Sequence, residues 1–120
     1  MKAIVCFHND GCHPFNFILK KGFKHCMIAV LTGEYWVEID WALAGYFIKV
    51  KTNMDYDLAK YYRSIEGWTI VETEQVLDTF WMTGNILVRN CVGQVKMILG
   101  LKGFAFTPYM LYKQLKGDTL

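Results

Sequence analysis

Lys24-His25-Cys26-Met27-Ile28-Ala29-Val30-Leu31-Thr32-Gly33-Glu34-Tyr35-Trp36-Val37-Glu38-Ile39-Asp40-Trp41 reads as two β-strands joined by a two-residue turn. From Cys26 to Leu31 both faces are apolar, the pattern of a strand central in its sheet. After Gly33-Glu34, Val37, Ile39 and Trp41 alternate with Glu38 and Asp40, the period of two expected of a half-buried strand. A two-residue turn sets the register, so that Ala29 opposes Glu38, Met27 opposes Asp40 and His25 opposes Ala42. Side chains alternate between faces. His25, Met27, Glu38 and Asp40 therefore share one face, and Ile28, Val30, Val37 and Ile39 the other.

Outward from this hairpin, residues 2–8 form a compact apolar strand ending in His8, followed by Asn9-Asp10-Gly11, whose side chains and flexibility favour a turn. Residues 45–51 add a third strand to the meander, and residues 68–77, rich in Thr, Ile and Val, add another. Between them, Leu58, Tyr62 and Ile65 follow helical spacing, predicting a helix over 54–66 capped by Asn53 or Asp55 and stopped at Gly67. Thr107-Pro108, an N-cap followed by proline at the first helical position, opens a last helix over 108–116 that Gly117 ends. The expectation is a single α+β domain over 1–120, an antiparallel sheet with packed helices.

The stretch Asn90-Cys91-Val92-Gly93-Gln94-Val95-Lys96-Met97-Ile98-Leu99-Gly100 predicts a helix over 91–99 that begins at a cysteine. A thiol in the first turn of a helix meets unpaired backbone N–H groups and the positive end of the dipole. Both favour thiolate and can bring a cysteine pKa from about 8.5 to roughly 3.5–7.5. Such a nucleophile needs a base, and the base needs a polar group to orient it. His25 is the candidate base, and Asp40 or Glu38, on the matching face of the next strand, the candidate orienting acid. The backbone N–H of Cys91 with one further donor would hold an oxyanion; Asn85 is the candidate donor, with Gln94 and His8 as alternatives, and Asn90 the candidate cap.

Totals narrow the classes. The 120 residues are 53% hydrophobic and 16% aromatic, enough for one core without metal or disulfide support. A net charge of +2, with Lys and Arg scattered among acids, argues against nucleic acid. The four cysteines, Cys6, Cys12, Cys26 and Cys91, lack disulfide-like density and fit a reducing compartment. No signal segment or membrane span is expected, which points to the cytoplasm. No cofactor is expected. An alternative is zinc held by Cys6, His8, Cys12 and His13, all residue types that zinc accepts.

Gly22-Phe23-Lys24-His25 opening a hydrophobic strand, a polar residue on the following strand, and Asn90-Cys91 opening a later helix together resemble the circularly permuted NlpC-like branch of the papain-like thiol enzymes. That branch includes relatives of lecithin:retinol acyltransferase, and its mark is histidine before cysteine in the chain. The resemblance covers roughly residues 22–100 and carries a hint of a viral or phage member, which would work in the host cytoplasm. It implies a permuted papain-like fold in which Cys91 attacks a carbonyl to form a thioester, His25 serves as base and then acid, and Asp40 orients His25. Val92-Gly93-Gln94 stands where the acyltransferases carry Glu-His-Phe, and no second histidine follows His25. The implied reaction is therefore hydrolysis of a peptide or amide bond rather than lipid or retinoid acyl transfer. A further alternative is the same scaffold without chemistry, reused as a viral interaction or structural protein with Trp36, Trp41, Trp68 and Trp81 as aromatic surface.

Overall fold

A computed structural model describes residues 2–9, 19–42, 45–74, 91–101, 105 and 107–117. Five strands and three helices occur in the order β1 (Lys2–His8), β2 (His25–Thr32), β3 (Tyr35–Ala42), β4 (Gly45–Asn53), α1 (Leu58–Arg63), β5 (Thr69–Glu74), α2 (Cys91–Leu99) and α3 (Pro108–Leu115). The strands form one antiparallel sheet in the order β4-β3-β2-β1-β5. The α+β expectation holds. The most apolar strands, β1 and β2, lie inside it with neighbours on both sides, as runs apolar on both faces require.

The hairpin has the register read from its turn: Thr32 opposes Tyr35, Ala29 opposes Glu38 and Ile28 opposes Ile39. Gly33 takes a φ of +63° at the first turn position, which glycine reaches at no steric cost. Pleat alternation then sorts the core into two halves. Ala3, Val5, Phe7, Cys26, Ile28 and Val30 face α2 and α3, while Ile4, Cys6, Met27 and Ala29 face α1. The sheet is thus sandwiched between one helix and two.

Helix α2 is held by packing rather than by propensity, since Val92, Gly93, Val95 and Ile98 are weak helix formers. Val92, Val95 and Leu99 are each 1% exposed. Burial of such side chains contributes roughly 1.5–3 kcal/mol each, more than the propensity deficit of any one residue. Gly100, at a φ of +69°, ends the helix as expected. Helix α3 begins at Pro108 with the Thr107 hydroxyl accepting from the Met110 N–H, the predicted cap.

Several boundaries differ from expectation, among them the end of the helix expected over 54–66, which stops at Arg63 with Ser64 as its C-cap. β4 runs to Asn53 rather than 51, because a bulge at Trp36/Val37 lets Thr52 and Asn53 pair with Trp36 and Tyr35. The following helix consequently starts later, at Leu58 rather than 54. Its cap is Asp57, which accepts from the Lys60 N–H, while the Asn53 side chain makes a turn by accepting from the Asp55 N–H. Strand β5 spans Thr69–Glu74; residues 75–77 of the expected strand lie outside the described residues. Among the described residues no helix is long and apolar enough to cross a membrane.

Candidate functional site

The ladder between β2 and β3 ends at Ile28↔Ile39. Both strands continue past it on their other neighbours: β2 on β1 through Met27, Cys26 and His25, β3 on β4 through Asp40, Trp41 and Ala42. The sheet therefore parts between β2 and β3 at this end, and backbone groups along the gap can serve side chains instead of a strand. Cys91, the first residue of α2, comes to this opening from the α2–α3 face, in the cluster that holds Cys26, Ile28 and Val30. His25 and Asp40 come from the α1 face, in the alternation that also places Met27 and Glu38 there. The gap is where the two faces meet. There the His25 ring and the thiol and backbone of Cys26 lie near enough to the Cys91 sulfur to govern its titration.

His25 and Asp40 are diagonal neighbours across the hairpin, and His25 Nε2 lies 2.6 Å from Asp40 Oδ1. The same Asp40 oxygen accepts from the Trp41 N–H at 2.9 Å, which holds the carboxylate in place. An ionised carboxylate only accepts, so Nε2 carries the hydrogen of this bond and Nδ1 is the nitrogen left for the sulfur. The pair is shielded: Cys91 is 6% exposed and the His25 side chain 12%.

Shielding alone would keep both groups neutral, and the local contacts reverse that. The Cys91 thiol is held down, at about 4, first by the hydrogen bond from the Cys26 thiol; burial opposes this, and the hydrogen bond and positive charge of His25 and the Cys26 backbone N–H add to it. Burial lowers His25, but the hydrogen bonds to Asp40 and Cys91 and their negative charges more than offset it and bring the imidazole up to about 10. The start of α2 favours the same state of the sulfur through its dipole. Both shifts favour thiolate beside imidazolium at neutral pH, the charge state a thiol nucleophile with a neighbouring proton donor needs.

Other candidates fall elsewhere. Glu38 does not orient His25. It lies under α1 and accepts from the Tyr62 hydroxyl at 2.6 Å, with Lys51 Nζ at 3.9 Å. The physical reason is its place two residues nearer the hairpin turn, beneath α1 rather than beside the gap. His8 is Cα partner to His25 and stacks on Trp68, with ring centroids 4.5 Å apart. Gln94 is buried one turn along α2 from Cys91. Asn85 and Asn90 lie outside the described residues, as do Cys12, His13 and Trp81. Cys6 and His8 of the zinc alternative do share a face, but Cys6 is sealed in the core under α1, where burial and then the negative charges of Glu38 and Asp40 push its thiol up. Among the described residues no group of three or more His, Cys, Asp or Glu side chains is arranged to hold a metal ion. A cleft of about 490 Å³ lined by Lys2, Trp36, Tyr56 and Glu72 sits at the opposite end of the sheet.

Comparison with protein-family models, with curated proteins and with solved structures finds no match for this chain. The site therefore stands on its own geometry. One of its members has no role in the sequence reading: Cys26. Its signal was present, since strand alternation turns Cys26 away from His25 and toward whichever helix covers that face. Which helix that is depends on the tertiary fold.

Proposed function

We propose that this chain is a cysteine-nucleophile hydrolase, a peptidase or amidase, of the permuted NlpC-like and papain-like kind, working in the cytoplasm. The observation that carries the reading is the convergence of Cys91, His25 and Asp40 from α2, β2 and β3 on the gap in the sheet. Its order in the chain, histidine and acid before cysteine, is the order that the resemblance implies.

The chemistry follows from the groups in place. The Cys91 thiolate attacks the carbonyl carbon of a peptide or amide bond, and negative charge develops on the carbonyl oxygen beside the start of α2, where backbone N–H groups can receive it. His25, protonated and bonded to Asp40 through Nε2, delivers the Nδ1 proton to the leaving nitrogen. The amine departs and a thioester remains on Cys91. His25, now neutral and held in the tautomer that leaves Nδ1 free, takes a proton from water, and the resulting hydroxide releases the acid and restores the thiolate. Asp40 supports both charge states by fixing the ring and stabilising imidazolium.

The test is selective alkylation. With iodoacetamide at about pH 6, below the ordinary thiol range, Cys91 should be labelled well before Cys6, Cys12 and Cys26, and His25→Ala should remove that advantage. Equal labelling of all four cysteines overturns the proposal. Turnover of fluorogenic peptide amides, lost in Cys91→Ala, is the matching activity assay.

A second reading keeps the scaffold and drops the chemistry, as an interaction protein. It is favoured by β4, which forms an edge of the sheet and leaves Phe47, Ile48 and Val50 exposed. On that reading partner binding survives Cys91→Ala.

A further inference from the structure

Two of the three described cysteines that are free thiols, Cys26 and Cys91, pack in one buried cluster as neighbours, and the third, Cys6, lies on the opposite face of the sheet. Hydrolysis does not require a thiol at position 26; a serine would donate the same hydrogen bond to the Cys91 sulfur. What a second sulfur adds is the ability to form a bond. We propose that Cys91 and Cys26 are a peroxide-responsive pair, in which Cys91 is oxidised first and Cys26 resolves it as a reversible disulfide.

Each step can be assigned to named groups of the site. The Cys91 thiolate attacks one oxygen of hydrogen peroxide; the S–O bond forms, the O–O bond breaks, and the departing hydroxide takes the His25 proton and leaves as water. Cys91 is now a sulfenic acid. The Cys26 sulfur then attacks the Cys91 sulfur; the S–S bond forms, the S–O bond breaks, and the hydroxyl leaves as water with the Cys26 thiol proton. Two thiol sulfurs have lost two electrons and the peroxide has become two waters.

The fold favours closure of this bond. Cys91 begins the helix that packs on the Cys26 face of β2, and Cys26 lies where β2 has already parted from β3, so closure draws two neighbouring sulfurs to bonding distance, about 2.05 Å. Burial helps as well. Cys26 is 1% exposed and Cys91 6%, so a sulfenic acid formed on Cys91 meets the neighbouring Cys26 before a thiol from solution. Oxidation would switch off the nucleophile and protect it from the irreversible sulfinic and sulfonic states. The proposal rests on the Cys91 thiolate used above, but not on any substrate.

The experiment treats the whole chain with hydrogen peroxide, digests it with trypsin without reduction, and looks for a cross-link between the peptides spanning residues 25–49 and 90–96. In the wild type that cross-linked species should dominate, and a dithiol reductant should return both thiols and the iodoacetamide reactivity of Cys91. In Cys26→Ser, which keeps a donor toward Cys91, peroxide should instead drive Cys91 to sulfinic and sulfonic acid, with iodoacetamide labelling lost and not recovered. Absence of the cross-link in wild type, or a dominant disulfide of different pairing, overturns the proposal. Labelling of untreated wild type separates the two ideas. Selective Cys91 alkylation without the cross-link removes the redox pair and leaves the hydrolase standing, whereas unselective alkylation removes both.

Discussion

Replacing Asp40 by asparagine isolates what its charge does, because the amide oxygen can still accept the His25 Nε2–H bond while the negative charge is gone. With Cys91 at about 4 and His25 at about 10, thiolate is present above the lower value and imidazolium below the upper one, so the ion pair spans the interval between them. An opposite charge at close range is worth roughly one to three pKa values. A third of the Asp40 side chain is open to solvent, at 32%, which screens its charge and selects the lower part of that range. Asp40→Asn should therefore bring the His25 limb from about 10 down to roughly 8–9. At about 1.4 kcal/mol for each pKa value, the imidazolium loses roughly 1.4–2.7 kcal/mol. The assay is the rate of iodoacetamide alkylation of Cys91, followed on the peptide spanning residues 90–96, across a pH series that brackets both limbs. Wild type should rise through the lower limb, hold a plateau, and rise again as His25 deprotonates and frees the thiolate. The variant should show a shorter plateau that ends earlier, with little change in rate near neutrality. Superimposable profiles, or a wild-type curve with a single inflection near the ordinary thiol value of about 8.5, would refute the assignment of Asp40 and the ion pair alike.

Three further outcomes test the frame around the site. Tyr62→Phe removes the donor that Glu38 accepts at 2.6 Å and should cost about 1–3 kcal/mol, read as a lower thermal midpoint, while Cys91 alkylation stays selective because Glu38 serves α1 and not His25. Leu111→Ala, at a position 0% exposed between α3 and the sheet, should cost about 2–5 kcal/mol in urea titration with the slope unchanged. Thr107→Ala should lose about 1 kcal/mol with the cap of α3, and Thr107→Ser should retain most of it; equal loss in both would assign the effect to the methyl group and not to the hydroxyl.

Local signals in the chain were reliable where one short-range rule governs. The two-residue turn at Gly33-Glu34 and the period of two set the register and put His25 and Asp40 on one face, because neither depends on anything beyond the hairpin. The starts of α2 at Cys91 and of α3 at Pro108 were legible for the same reason. The start of α1 was not, because β4 extends through a bulge whose position depends on pairing with β3.

By itself, then, the chain determined the hairpin, the thiol at a helix start, and an imidazole aligned with a carboxylate. It could not choose between Asp40 and Glu38, which are equivalent in pattern and become distinct only when α1 packs over one of them and brings the Tyr62 hydroxyl to it. Nor could it bring Cys91 to His25. Strand alternation and the packing of α2 assign those two residues to opposite faces of the sheet, and contact across a sheet is possible only where neighbouring strands separate. The separation of β2 from β3 past Ile28↔Ile39 is a property of how each strand continues on its other neighbour. It is long-range in sequence, and it is what turns three separately legible side chains, with Cys26 beside them, into one site.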